Sequence, residues 1–191
     1  MVNQMNVKKN VIKLVLGGLL AALVVVSTMV ISIPTPTKGY INLGDCFVNI
    51  SAWLLGPIYG AAAAGIGSML ADLFLGYSIY APATLIIKAL MAVASFYVYI
   101  LLAKRTHGLV ARIAASVCAE LVMIVGYLVF ESFLYKSFIV AAGGVLANVM
   151  QGIGGIVISV ILYEALIVRI PFVKKFGEAC IPRAKVLWHF D

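Results

Sequence analysis

Long apolar runs separated by short polar breaks set the organisation of this chain. After a polar opening, Met1 to Asn10, with Lys8 and Lys9, the residues from Val11 to Ile33 are almost all apolar and end at Pro34-Thr-Pro36-Thr. A helix that crosses the hydrocarbon core of a bilayer needs about 20 such residues, so this run is predicted to be a first membrane helix. It exceeds the ~7 to 15 residue apolar region of a secretory signal, and no small-x-small cleavage site precedes the prolines, so the helix is expected to be retained. A loop from Thr35 to Leu43 follows. Gly44 to Leu55 then reads as a short second helix broken at Gly56-Pro57, and Ile58 to Leu75 as a third, rich in Gly and Ala. A turn over Gly76 to Pro82 leads into a fourth helix, about Ala83 to Ala103, which stops at the basic stretch Lys104-Arg-Thr-His107-Gly. The fifth runs from about Arg112 to Leu134 and the sixth from about Ala141 to Val168, joined by a loop around Tyr135 to Phe138. The expected fold is therefore an all-α integral membrane protein with six transmembrane helices in one bundle over residues 1–168 and a basic tail over 169–191. The second and third runs, about 12 and 18 residues, are short for full crossings and read as tilted half-spans or a re-entrant pair with the same topology.

Composition agrees. The chain has 191 residues, 64% hydrophobic and 11% charged, with a mean hydropathy of +1.12. Soluble domains have roughly 45 to 50% apolar and about 25% charged residues, so there are too few charges here to coat a water-exposed globule. The net charge of +7 invites a nucleic-acid reading until its placement is mapped. Lys8, Lys9, Lys13, Lys104, Arg105, Arg112, Arg169, Lys174, Lys175, Arg183 and Lys185, eleven of the fourteen basic residues, fall on the side of the termini. Lys38 and Lys136 fall on the other, with Lys88 inside a helix. Basic residues mark the cytoplasmic side, so both termini are expected in the cytoplasm, the protein in a bacterial plasma membrane, and no nucleic acid among its partners. Cys46, Cys118 and Cys180 form no CxxC pair, which argues against a zinc site or disulfide framework and for structural thiols.

Ionisable and amide groups within apolar helices are costly and mark function by default. At a rise of about 1.5 Å per residue, Thr84 and Lys88 lie one turn apart in the outer third of the fourth helix. Tyr127 and Glu131 do so in the fifth, and Asn148 and Gln151 share a face of the sixth. Asp45 and Asn49, Asp72, and Ser27 and Thr28 stand toward the outer ends of the second, third and first helices. Polar groups from six helices thus converge on one level. Other roles are open for each: Asp45 and Asp72 as helix-end residues, Ser27 and Thr28 bonded to their own helix, Asn148 and Gln151 as interhelical ties, Lys88 snorkelling outward or paired with Glu131. Toward the cytoplasm, Glu120 is expected to be partnered by Ser95, Ser116 or a basic loop residue, and Glu164 stands near the inner end. These two isolated carboxylates make no continuous polar path above a largely apolar floor, which suits a binding pocket better than a pore. Gly17-xxx-Ala21 and Gly18-xxx-Ala22 on the first helix would let another helix approach closely, within the bundle or in a partner. There is no Ser–His pair at membrane depth, no phosphate loop and no metal motif, so no enzyme is expected and no cofactor.

The ordered set Gly39-Tyr-Ile-Asn-Leu-Gly-Asp45, Leu55-Gly-Pro-Ile-Tyr-Gly60, Gly67-Ser-Met-Leu-Ala-Asp72-Leu-Phe-Leu-Gly-Tyr77 and Pro82-Ala-Thr-Leu-Ile-Ile-Lys88 resembles the substrate-binding S components of energy-coupling factor (ECF) vitamin transporters. The similar group is named for riboflavin transport and includes hydroxymethylpyrimidine and pyridoxine-type uptake proteins. The resemblance implies capture of a small water-soluble vitamin or precursor at the outer face. The loop Thr35 to Leu43 would be a lid, and a membrane coupling protein and two cytoplasmic ATPases would be partners. Candidate ligand contacts are then Tyr40, Asn42, Asp45, Tyr80, Thr84, Lys88, Tyr127, Glu131, Asn148 and Gln151. The coupling protein would meet the first helix at Gly17 and Ala21 or Gly18 and Ala22, where the family often has Ala-xxx-Ala. A stand-alone permease or channel, or a non-transporting membrane partner subunit, are the alternative functions.

Overall fold

A computed structural model describes residues 2–35, 39–165 and 169–171. Its elements are α1 (Val2–Val30), β1 (Ser32–Pro34), β2 (Tyr40–Asn42), α2 (Gly44–Phe74), α3 (Ala81–Leu102), α4 (Gly108–Tyr135) and α5 (Phe138–Ala165). All five helices are long and apolar enough to cross a membrane. Most of the tail, with Lys174, Lys175, Cys180, Arg183, Lys185 and His189, and Lys38 of the loop lie outside the described residues.

The sequence reading expects six helices, and the second and third of them are the two arms of α2. The break is where Gly56-Pro57 places it. Pro57 disfavours helical backbone in the residue before it, and Gly56 takes φ 80°, ψ −173°, which a side chain resists. Beyond the break the chain doubles back. Ser51 Oγ donates to the Gly60 carbonyl at 3.1 Å, whereas a continuous helix would hold these residues about 13 Å apart. The second arm ends with the Gly76 N–H on the Leu73 carbonyl (3.3 Å) and the Tyr77 N–H on the Asp72 carbonyl (2.7 Å). Gly76 there adopts φ 83°, the left-handed stop that glycine favours.

The expected loop after the first helix is partly a two-stranded antiparallel hairpin, β1 with β2, pairing Ser32 with Asn42, Ile33 with Ile41 and Pro34 with Tyr40. Its six strand residues have too short a pattern to stand out beside helices of 22 to 31 residues. The hairpin touches α1 and α5 and closes one end of the bundle.

The core gathers around α2. Trp53, Ile50, Val48, Met91 and Met123 are buried there. The backbone of α1 comes so close to α2 that a Cβ at Gly67 would stand 2.7 Å from the Ala21 carbonyl. Outward-facing positions are apolar instead of charged: Leu14, Val15, Leu90, Leu121, Phe133, Ile139 and Leu146 are all exposed. A belt of this extent is stable only where the surrounding solvent is itself apolar.

Candidate functional site

The site lies beneath the β-hairpin, and one chain of hydrogen bonds holds its floor. Asn42, the last residue of β2, accepts at 2.8 Å from the N–H of Gly44, the first residue of α2. Its backbone N–H and Nδ2 donate to Gln151 Oε1 on α5 at 2.9 and 3.1 Å. Gln151 Nε2 donates in turn to Asp45 Oδ2 at 2.6 Å, and Asp45 Oδ1 accepts from Lys88 on α3 in a fully buried ion pair. Met123 Sδ touches both donors, 3.4 Å from Lys88 Nζ and 3.2 Å from Gln151 Nε2. Helices α2, α3 and α5 therefore meet at Asp45, and β2 joins them through Gln151. Gly155 makes that meeting possible, since a Cβ there would come within 2.9 Å of the Asp45 side chain and 3.0 Å of Glu120 Oε1.

Tyrosines form the wall and roof. Tyr40 OH donates to Asp72 Oδ1 at 2.5 Å and its ring lies 4.6 Å from that of Tyr77, tying the hairpin to the end of α2. Burial, together with the Asp72 carboxylate beside it, pushes the Tyr40 phenol above the ordinary tyrosine range. Thr84 and Tyr127 share a hydrogen bond of 3.0 Å. Tyr80 OH donates to Glu131 Oε1 at 3.4 Å and lies 2.7 Å from Tyr135 OH. These groups enclose a cavity of about 40 Å³, space for a few waters.

Nine of the ten candidate contacts line this one cavity: Tyr40, Asn42, Tyr80, Thr84, Lys88, Tyr127, Glu131, Asn148 and Gln151. The tenth, Asp45, stands behind Lys88 as its counter-ion. Lys88 therefore pairs with Asp45, not with Glu131, and it does not snorkel, being 3% exposed. Thr28, Gly39, Ser68 and Asp72 line the cavity as well. Ser68 and Asp72 were legible in principle, standing four residues apart on one face of an apolar helix.

The expected apolar floor with isolated carboxylates is corrected. Glu120 Oε1 accepts from Asn49 Nδ2 at 3.2 Å, Asn49 Oδ1 accepts from Ser95 at 2.8 Å, and Ser95 accepts from Trp53 Nε1 at 3.0 Å. Below Trp53, Tyr99 and Tyr163 flank Arg112 in cation–π contact, with its guanidinium 5.6 and 4.6 Å from the two ring centroids. Arg112 is ion-paired with Glu164. The helix crossings decide these pairings, because Arg112 and Glu164 are 52 residues apart. The two small-residue pairs of α1 also separate. Gly17 and Ala21 face α2, while Gly18 and Ala22 point outward, and a Cβ at Gly18 would meet open space.

Comparison with known proteins decides the family. A family model described as the ECF-type riboflavin transporter S component matches residues 8–167. This chain belongs to that family. It is a membrane-embedded subunit of a transporter and not an enzyme, and proteins of its kind work with an ECF module of membrane and ATPase subunits. An uncharacterised protein from the gap 3′ region of Pyrococcus woesei is 34% identical over 140 residues, covering 71% of this chain and 88% of the relative. A solved structure of the S component of a bacterial ECF transporter shares the fold with a TM-score of 0.66. At 21% identity, the match covers 81% of this chain and 94% of that one.

Proposed function

We propose that this S component captures a small, water-soluble, flat heteroaromatic vitamin or precursor in the cavity beneath the hairpin, at the outer face of the membrane. The observation that supports this most is the convergence of tyrosines and directional polar groups from five helices and the hairpin on one cavity. Ligand sites combine aromatic walls with a few placed polar groups in this way. Loading lifts the hairpin over the cavity and releases the Tyr40–Asp72 and Asn42–Gln151 bonds that hold it there. Resealing over the ligand then sets its residence time. In this proposal the basic residues near the termini favour a cytoplasmic side for both, and the two arms of α2 count as two of six spanning or half-spanning segments.

In this reading the polar chain below the site is no conduit. Its side chains bond to one another in a packed interior, and release to the cytoplasm comes from association with the coupling protein and its two ATPases. Gly18 and Ala22 form the docking seam on α1.

The test is equilibrium binding of riboflavin, pyridoxine, hydroxymethylpyrimidine and other B vitamins to the purified chain, with mass spectrometry of whatever copurifies. Submicromolar binding of one compound, weakened at least tenfold by Asn148→Ala, is the expected result. No binding across the panel and no retained small molecule would sink the proposal.

A further inference from the structure

We infer that the cavity beneath the hairpin binds a hard metal cation, anchored on the Asp72 carboxylate, with hydroxyl oxygens completing its shell and Glu131 as a second negative charge. This goes beyond the capture role and stands independently of it.

Three observations carry it. The first is a charge imbalance. Asp72 on α2 and Glu131 on α4 both line the cavity and are only 2% and 4% exposed. Lys88 is the one basic side chain among the described lining residues, and its ammonium is committed to Asp45. The enclosure therefore carries two carboxylates that no lining cation offsets. The second observation is the state of their oxygens. Tyr40 donates to Asp72 Oδ1 and Tyr80 to Glu131 Oε1, while Asp72 Oδ2 and Glu131 Oε2 are buried without a hydrogen-bond partner. The third is the chemistry around them. Thr28 of α1, Ser68 of α2 and Thr84 of α3 put hydroxyl oxygens in the same lining, with Ser68 one helical turn before Asp72. Among the described residues no thiol, thioether or imidazole lines the cavity. Oxygen ligands without sulfur or ring nitrogen suit the hard cations, sodium, magnesium and calcium among them, and not the softer transition metals.

A buried carboxylate oxygen with neither a donor nor a counter-charge carries an uncompensated desolvation cost. A cation offsets it at close range, where the low dielectric strengthens the attraction. The cavity volume of about 40 Å³ admits such an ion with a few waters that keep part of its hydration. A proton would also neutralise a carboxylate, but it makes no use of the hydroxyl oxygens from three helices. The ion would tie α1, α2, α3 and α4 together below the hairpin and stabilise the bundle whenever it is bound.

The experiment takes the full-length chain in lipid nanodiscs, shown by mass spectrometry to carry no small molecule. It is melted at pH 7.5 in sodium, potassium, magnesium or calcium chloride, each against N-methylglucamine chloride at equal ionic strength. At least one metal is expected to raise the thermal midpoint by about 3 °C or more, saturably. Asp72→Asn is expected to abolish the rise and Glu131→Gln to weaken the apparent affinity for that metal at least tenfold. Ser68→Ala removes one oxygen without touching a carboxylate, is expected to weaken it at least threefold, and decides the matter if Asp72→Asn does not fold. No rise with any metal beyond the organic cation overturns the inference, as does stabilisation that follows falling pH alone, which assigns the neutralising charge to a proton. A rise that persists undiminished in folded Asp72→Asn or Ser68→Ala overturns the assignment to this cavity. Vitamin binding by the same preparation is measured separately, so the capture role stands or falls on that result and not on these.

Discussion

Asp45 and Lys88 are both withdrawn from water, and neither can be removed alone without stranding the other. Breaking a buried ion pair costs about 3–5 kcal/mol, while removing both charges is far milder. Lys88→Met is expected to lower the thermal midpoint of the detergent-purified chain sharply, and Lys88→Met with Asp45→Asn to recover much of the loss. A double variant no more stable than the single one would show that the pair does not carry this energy. Tyr40 offers a second test. Its bond to Asp72 is charge-assisted, worth about 1.5–3 kcal/mol, so Tyr40→Phe is expected to raise the ligand dissociation rate at least tenfold in stopped-flow measurements, with little change in the fold. Because the phenol is held above its ordinary range, the folded state keeps a proton there that the unfolded chain loses near pH 10. Its contribution to stability is therefore constant at neutral pH and declines only above about pH 10. At this scale the sequence named most of the cavity lining but not the pairings. Depth along a helix follows from counting residues, whereas the partner of Lys88 or Arg112 depends on how helices cross.

Helices were legible by length and by their stops. The Gly56-Pro57 break, the Gly76 turn and the basic stop at Lys104 all end or bend elements in the structure. The hairpin was not legible, since three-residue strands leave no usable periodicity and their pairing is held by contacts to α1 and α5. Gly56→Ala forces a side chain into positive φ and is expected to cost about 1–2 kcal/mol, read as a lower thermal midpoint. The two faces of α1 give a sharper contrast. Ala22→Trp, on the outward face, is expected to keep ligand binding and abolish uptake in cells carrying the ECF module. Ala21→Trp meets the close α1–α2 crossing at Gly67 and is expected to lose folded protein and binding together. Retained uptake in Ala22→Trp would move the docking face elsewhere.

Taken whole, the molecule joins a polar upper site to an ion-paired base through a packed interior. Scarcity of charge identified a membrane protein from composition alone, and the few charges left were the ones that organise its interior. Arg112 illustrates the limit of that reading. It counts among the basic residues on the side of the termini, yet it is fully buried between Tyr99 and Tyr163 and bonded to Glu164. Its pairing with Glu164 compensates a charge that burial would otherwise leave alone. The most direct test of the capture role is flux into proteoliposomes of the vitamin that the purified chain binds, with the chain alone and with the chain plus its ECF module and ATP. Binding but no flux is expected for the chain alone, and accumulation only when the module and ATP are both present. Flux through the chain alone, independent of ATP, would contradict it.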